Sequence, residues 1–486
     1  MEDTTPRLSR RAMLRAMLGS AGMALLAACG GTPTAPPAAP AEAPAAEPTT
    51  APAAPAAEAP TAAPPAQANA GKITILQRQE YFEGVEIKFR NTTTQYIASR
   101  GGELDISTVN PEVFGDFNAK IQASVQSGNP PDLAYHTNSV QQLYFLDTLE
   151  DVTDVVEELV GMYGAVVPVN AADNALIDGR WYSVPFISNS GAWFARRDIF
   201  EAKGIDVSTL TTDDQRRDAA LAVSDPAAEM WGWGLTVNKS GDGHGLITGV
   251  IQRFGGSFTD ESGTKVVFNS PQTVEAVKWL AEIYMADMYK PMLPPGVESW
   301  TDPSNNEAFL AGKVALTTNA FSVYAKAKQD QNPIFDSIAV LRAPVARDGN
   351  VLEAGGNGWF SIFKGAKNPE LAKETILHLL KPENFLPMAQ EGGGLFLPAY
   401  KNLWNEELLS IDPNFRTLQD IIFNPTNYTG NAYPAKPNAA IDAITAASLQ
   451  SELMSNVITG RMSAEAAVQD THEKIVKIFE ELGLPQ

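Results

Sequence analysis

Over most of residues 72–486, short apolar runs alternate with stretches in which apolar residues recur every three or four positions. The first pattern is that of buried strands and the second that of amphipathic helices, so the chain reads as an α/β protein with mainly parallel sheets. Residues 73–76 start as a strand. A helix is expected over 113–127, with Phe114, Phe117, Ile121 and Val125 on one face. Gly128 stops it, and Pro130-Pro131 leads into a strand at 132–135. Ser270-Pro271 supplies the cap and first-turn residue of a helix whose Val274, Val277, Leu280 and Tyr284 form the inner stripe. Ser304-Asn305-Asn306-Glu307 has the pattern of a capping box, Gly312 marks the helix stop, and a strand follows at 314–317. Asn368-Pro369 opens another helix, and a last one starts near Ser463 and closes at Gly483. Between 77 and 110 the pattern suggests two or three short strands and little helix.

Length and charge narrow the picture. The globular part is too long for one ordinary core and implies two lobes. A formal net charge of −21 repels a phosphate backbone, which excludes nucleic acid as a partner. Residues 30–70 are almost entirely Ala, Pro, Thr and Glu, with too little apolar surface to offset the entropy of ordering. Such a segment is a tether, spanning on the order of 100 Å at roughly 3 Å per residue. In front of it, Leu26-Ala27-Ala28-Cys29 follows a short apolar run that is interrupted by Arg15 and Gly22. Cys29 is the only cysteine of the chain, so an internal disulfide is excluded. The tetrapeptide resembles the lipobox of bacterial lipoproteins, whose cysteine is acylated and becomes the new N-terminus. Ser9-Arg10-Arg11-Ala12-Met13-Leu14-Arg15 resembles a twin-arginine export signal, and the general secretory route also accepts such pairs. Residues 1–28 are thus expected to be a signal peptide and 29–70 a tether, with Cys29 lipidated (a palmitate-bearing anchor) and the protein held on the outer face of the cell membrane or in the periplasm. No later apolar run reaches transmembrane length.

Six motifs, in order, carry a family resemblance. They are Ser127-Gly128-Asn129-Pro130-Pro131-Asp132, Asp178-Gly179-Arg180-Trp181-Tyr182-Ser183-Val184-Pro185, Phe254-Gly255-Gly256, the run from Asn306 through Gly312 to Leu316, Gly355-Gly356-Asn357-Gly358-Trp359, and Lys367-Asn368-Pro369-Glu370-Leu371-Ala372. Together they resemble the extracellular solute-binding proteins of carbohydrate-uptake family 1, similar to the maltose-binding and glycerol-phosphate-binding proteins that feed ABC importers. The resemblance implies a two-lobed, periplasmic-binding-protein-like fold of type II whose discontinuous lobes hinge about crossing segments. It sets lobe 1 at 72–188 and 356–397 and lobe 2 at 189–354 and 398–486, with crossings near 187–192, 352–356 and 395–401. The implied partners are a carbohydrate ligand and the permease subunits of an ABC transporter, with the protein monomeric and lipid-anchored. Gly355-Gly356 and Gly392-Gly393-Gly394 read either as hinge points or as surface turns.

Sugar rings present apolar faces that stack on aromatic side chains, while their hydroxyls need planar polar partners. Trp359, beside Asn357 just after a presumed crossing, reads as a stacking platform rather than a core residue. Trp193 fits a cleft or a buried strand equally well. Trp233 precedes the 238–244 loop and is the better cleft candidate of the Trp231/Trp233 pair, while Trp300, Phe321 and Tyr433 fall at family cleft positions. His136 and Asn138 follow the 132–135 strand, where ligands sit at the carboxyl ends of open α/β sheets. His244 lies in Gly241-Asp242-Gly243-His244-Gly245, and each histidine reads equally as a hydrogen-bonded loop residue. Asn189 and Asn319 complete the set, and Asp132 reads as a structural acceptor. No Gly-x-Ser-x-Gly elbow, His-Glu-x-x-His helix, Cys-x-x-Cys pair or Walker loop occurs. The expectation is a non-enzyme without cofactor or metal. Within binding proteins the second ligand class is a sugar or polyol phosphate such as glycerol 3-phosphate, and a secreted glycan-active enzyme using two carboxylates is the alternative of a different kind.

Overall fold

The computed structural model describes residues 71–109, 114–353, 355–425 and 432–484. The expected signal peptide and tether, with Cys29, lie outside the described residues. Eleven strands are present in these segments: β1 Lys72–Arg78, β2 Glu103–Val109, β3 Leu133–His136, β4 Leu176–Ile177, β5 Arg180–Trp181, β6 Val184–Arg196, β7 Trp231–Trp233, β8 Val314–Ala320, β9 Ile338–Leu341, β10 Gly355–Ser361 and β11 Leu397–Pro398. Nine of them run in the order β2-β1-β3-β10-β6-β8-β7, with β9 and β11 also paired to β6. β4 and β5 form a separate hairpin, whose Asp178-Gly179 turn takes positive φ at both central residues, as a type I′ turn demands.

Where helices were expected they occur: Phe114–Gln126, Pro271–Met285, Pro369–Leu379 and Ala464–Glu481. Ser270 caps its helix by accepting from the Thr273 amide at 3.1 Å. Asp132 is the structural acceptor anticipated. Its carboxylate receives the amides of Thr74, Lys367 and Asn368 at 2.7–2.8 Å and ties β1 to the start of the helix Pro369–Leu379.

Three expectations are corrected. The nine-stranded sheet is mixed rather than mainly parallel: β1 pairs parallel with β2 and β3, and β7 with β8, but β10 runs antiparallel to β3 and β6, and β6 antiparallel to β8, β9 and β11, because β6 and β10 cross between the sheet halves in opposite directions. The 77–110 stretch holds not several strands but the helix Glu83–Ser99 followed by β2. Its β-branched run Thr92-Thr93-Thr94 favours strands locally, yet Thr93 and Thr94 turn their hydroxyls back to the carbonyls of Phe89 and Arg90 at 2.8 and 2.7 Å. Burial of Val85, Phe89, Thr93 and Ile97 along one stripe then decides the outcome. The helix Asp302–Leu310 also begins a turn earlier than the motif at Ser304 suggested. Thr301 is its cap, Pro303 occupies the first turn, and Ser304 reaches back to accept the Thr301 amide at 3.0 Å.

β6 organises the molecule. Its first half, up to Ser190, pairs with β10 and β11, and its second half, from Gly191, pairs with β8 and β9. One continuous strand therefore passes from one part of the sheet to another. On the β1-β3-β10 side one face carries Phe89, Tyr135, Phe186 and Phe360, with the Phe186 and Phe360 rings 4.2 Å apart. The opposite face carries a smaller cluster around Phe117, Leu143, Trp359 and Phe363. A separate core gathers Trp193, Trp233, Leu280 and Phe479 beyond the second half of β6. Each fully buried side chain of this size contributes roughly 1.5–3 kcal/mol. Two cores linked by shared strands form the two-lobed architecture expected from the sequence. Among the described residues no helix is long and apolar enough to cross a membrane.

Candidate functional site

β1, β2 and β3 run parallel and end at the same edge of the sheet, and β10 starts there because it is antiparallel to β3. In open α/β sheets that edge is where ligands sit. Here it is also where β6 leaves the first sheet half, so residues from both halves converge.

Three of the candidate asparagines lie along this crossing. Asn189 on β6 stands opposite Gly356, Asn357 stands opposite Ser188, and Asn319 on β8 stands opposite Ala192. A methyl group at Gly356 would approach the Asn189 Oδ1 to 2.7 Å, so glycine leaves room for that amide. Asn357 donates from Nδ2 to the Ile187 carbonyl at 3.2 Å, while its buried Oδ1 has no hydrogen-bond partner. A buried acceptor left open in this way costs about 1–3 kcal/mol, which a donor arriving from a ligand would recover.

His136 and Asn138 sit beside them at the end of β3. The His136 ring is buried, its Nδ1 accepts the Asn138 amide at 3.1 Å, and its Nε2 therefore donates to Ser361 Oγ at 2.8 Å. Desolvation lowers its pKa to about 3, so the ring is neutral at any ordinary pH. Trp359 pairs with His136 across β10 and β3, and its ring lies in the apolar cluster with Phe117 and Phe363, 4 % exposed.

The second half offers a polar network that the sequence did not single out beyond Asn319. The amide of Asn319 reaches Asp242 at 2.9 Å, Asn305 at 2.9 Å and Asn306 at 2.6 Å, and Asn305 donates to the same Asp242 oxygen at 2.8 Å. Burial, together with the neighbouring charge of Asp302, raises the Asp242 carboxyl to about 7 against the opposing Asn305 hydrogen bond. Tyr81, in the loop after β1, comes close to Asn306 and Lys326 of the other side. Asn306 opens the family motif that runs through Gly312 to Leu316, and Asn305 stands just before it in the capping-box pattern, so those motifs were the signal available.

The remaining candidates are dispersed. Trp193 and Trp233 pack edge to face at 6.2 Å inside the second core, with the Arg216 guanidinium 4.6 Å over Trp193 and Trp233 Nε1 donating to Tyr284 at 3.3 Å. Phe321 is fully buried against Phe194 and Tyr324. His244 is buried with Nε2 3.3 Å from Ser451 Oγ, and burial lowers its pKa. Trp300 and Tyr433 are partly buried, Trp300 touching both large cores.

A second link spans the halves. Ser139, which caps the helix Val140–Phe145 after β3, donates its hydroxyl to the Asp442 carboxylate on the helix Ala439–Ala446. Close by, Lys436 pairs with Asp173 at 2.7 Å. Neither Ser139 nor Asp442 stood out in the sequence, because each is an ordinary helix-start residue until the fold brings them together across 303 positions.

Two cores joined through a shared strand, with a polar rim where they meet, define a two-lobed binding protein. Residues 98–417 match the family model described as bacterial extracellular solute-binding protein, and the chain belongs to that family. A mannitol-binding protein of Pseudomonas aeruginosa is 21% identical over 426 residues, 82% of this chain and 85% of the relative. A binding protein of Brucella abortus is 24% identical over 233 residues, 47% of this chain, and the match spans about half (53%) of that relative's length. Among solved structures, a Thermotoga lettingae ABC transporter solute-binding protein bound with α-D-tagatose has a TM-score of 0.69 at 18% identity, covering 84% of this chain and 99% of the other. A protein from Agrobacterium vitis with bound D-mannitol has a TM-score of 0.68 at 17% identity, covering 86% of this chain and 100% of the other. At these identities the structures share the fold.

Proposed function

We propose that the protein captures a neutral sugar or sugar alcohol between its lobes and delivers it to the permease of an ABC importer. The observation that carries this reading is the row of amide side chains at the β6 crossing, Asn189, Asn357 and Asn319, with the buried Asn357 Oδ1 lacking a donor. Amides offer both donors and acceptors, which suits a polyhydroxylated ligand without charge. The mannitol-binding relative supports the same class. A phosphorylated ligand finds less support, since the side chains gathered at the rim are neutral or acidic and supply no guanidinium fork. Binding without turnover is the activity proposed. The lobes comprise 72–188 with 356–397 and 189–354 with 398–486, hinged where β6 crosses and where β10 and β11 enter. Trp300 and Tyr433, partly buried, are the aromatic residues proposed to meet the ligand.

A thermal-shift panel of mannitol, tagatose, maltose and glycerol 3-phosphate tests the ligand class. A ligand bound only by the native state at a thousand times its Kd adds about 4 kcal/mol of stability. One of the three uncharged compounds is expected to raise Tm progressively with concentration. A rise with glycerol 3-phosphate alone, or release of sugar from an oligosaccharide, would overturn the reading.

Anchoring through acylated Cys29 is part of the same proposal, with the 29–70 tether holding a monomeric domain away from an extracytoplasmic membrane surface. More than one acyl chain is needed for stable attachment. In a host that exports the chain, Cys29→Ser is expected to move the protein from the membrane pellet to the soluble fraction. Undiminished sedimentation of the variant with membranes would rule out the anchor.

A further inference from the structure

Ser139 and Asp442 belong to different cores. The helix that Ser139 caps sends Val140 and Leu143 into the cluster around Trp359, whereas the helix of Asp442 sends Ala440, Ile441 and Ile444 into the core of Trp233. The two helices pack against each other with this hydrogen bond between them, and the Lys436–Asp173 ion pair lies in the segments just outside. We propose that Ser139 and Asp442 form a latch between the lobes, made when they close and broken when they open, so that closure is coupled to the protonation of Asp442.

The coupling follows from what surrounds the carboxyl group. Docking of the two helices strips much of the water from it, leaving it partly buried, and offers one hydroxyl in exchange, with no cation. The helices Ala439–Ala446 and Val140–Phe145 carry no other charged residue. Helices Leu449–Ile458 and Ala464–Glu481, packed behind, commit their charges elsewhere. Glu452 and Asp470 pair with Lys474, Glu465 with Lys278 and Glu481 with Lys477, while Glu473 and Glu480 are exposed and His472 accepts the Asn269 amide. Lys436 is engaged by Asp173. Burial accordingly raises the Asp442 pKa to about 6 in the closed arrangement, partly offset by Ser139. In an open form the group is hydrated and titrates near the ordinary value of about 3.9. The closed form thus binds more protons between about pH 4 and pH 6. Closure is favoured as pH falls through about 6, and above that value the charged carboxylate opposes it in full.

The test needs no ligand and so stands apart from the choice of sugar. In the full chain with Cys29→Ser, spin labels at Glu157→Cys and Glu275→Cys, exposed residues on the helices Thr153–Tyr163 and Pro271–Met285, report the distance between the lobes by double electron–electron resonance. From the two pKa values, the closed-to-open ratio should be about tenfold higher at pH 5 than at pH 7.5. Asp442→Asn keeps the hydrogen bond and removes the charge, so the ratio should become independent of pH. Ser139→Ala should lower the closed fraction at both values. No closed population at pH 5, an unchanged ratio between the two pH values, or an undiminished pH effect in Asp442→Asn would each overturn the proposal.

Discussion

Asp213→Ala is expected to lower the unfolding free energy by about 3–5 kcal/mol, the cost of breaking a buried ion pair by removing one partner. Asp213 and Arg253 meet through two parallel hydrogen bonds of 2.7 and 2.9 Å, and both side chains are buried. The carboxylate serves a second guanidinium as well. Arg216 is buried, with an unpartnered Nη1, and desolvation, joined by the repulsion of Arg253, lowers its pKa to about 9 against the attraction of Asp213. Removing Asp213 leaves two cations close together without the anion that separates their costs. The electrostatic loss exceeds any helix-capping effect, since a favourable first-turn charge contributes only about 0.3–1 kcal/mol. Urea unfolding followed by circular dichroism measures the change. The replacement of both partners by apolar residues of similar size, Asp213→Leu with Arg253→Met, should cost less than the single variant, because Arg253 is then no longer stranded and the repulsion between the two cations is gone, leaving only Arg216 without its anion. A loss below about 1 kcal/mol for Asp213→Ala would refute this account.

The same pair shows why parts of the molecule were invisible in the sequence. Asp213 and Arg253 lie 40 positions apart and each looks like a solvated helix residue. Only tertiary packing removes them from water. Strand and helix order was legible wherever caps, stops and apolar spacing agreed, as at Ser270-Pro271, Gly128 and Gly312. It failed at Glu83–Ser99, where three consecutive threonines gave a local preference that burial of Val85, Phe89 and Ile97 along one face overrides. Turn chemistry was legible at Asp178-Gly179, because few residue pairs accept positive φ twice in succession.

The candidate site divides along the same line. Asn189 and Asn357 were marked by their places at the crossings and Asn319 by its place at a strand end, and the fold brings them onto one strand junction. The aromatic residues were chosen for the chemistry of their rings, which does not distinguish a stacking surface from a core. Trp233, with its Nε1 satisfied by Tyr284, meets every requirement of a buried tryptophan, and so does Phe321 among Phe194 and Tyr324. The contact of Ser139 with Asp442 depends on the meeting of segments 303 positions apart, and no local pattern encodes that meeting.

Trp359 concentrates the issue. As a stacking platform it would lose about a hundredfold in ligand affinity on truncation, about 2.7 kcal/mol, with little change in stability. Its surroundings in the structure favour the opposite division. The ring is 4 % exposed and packs in the cluster of Phe117, Ile121, Leu143 and Phe363, on the face covered by the helices Phe114–Gln126 and Val140–Phe145. Trp359→Ala is therefore expected to cost about 3–5 kcal/mol of stability, the transfer loss plus the cavity left in a close-packed layer. Affinity of the folded variant should change by less than about tenfold, because the amides at the crossing are carried by other positions. Denaturant unfolding and calorimetric titration of the same protein separate the two outcomes. A variant with near-normal stability and affinity reduced a hundredfold would return the tryptophan to the ligand and move the cleft to its side of the sheet.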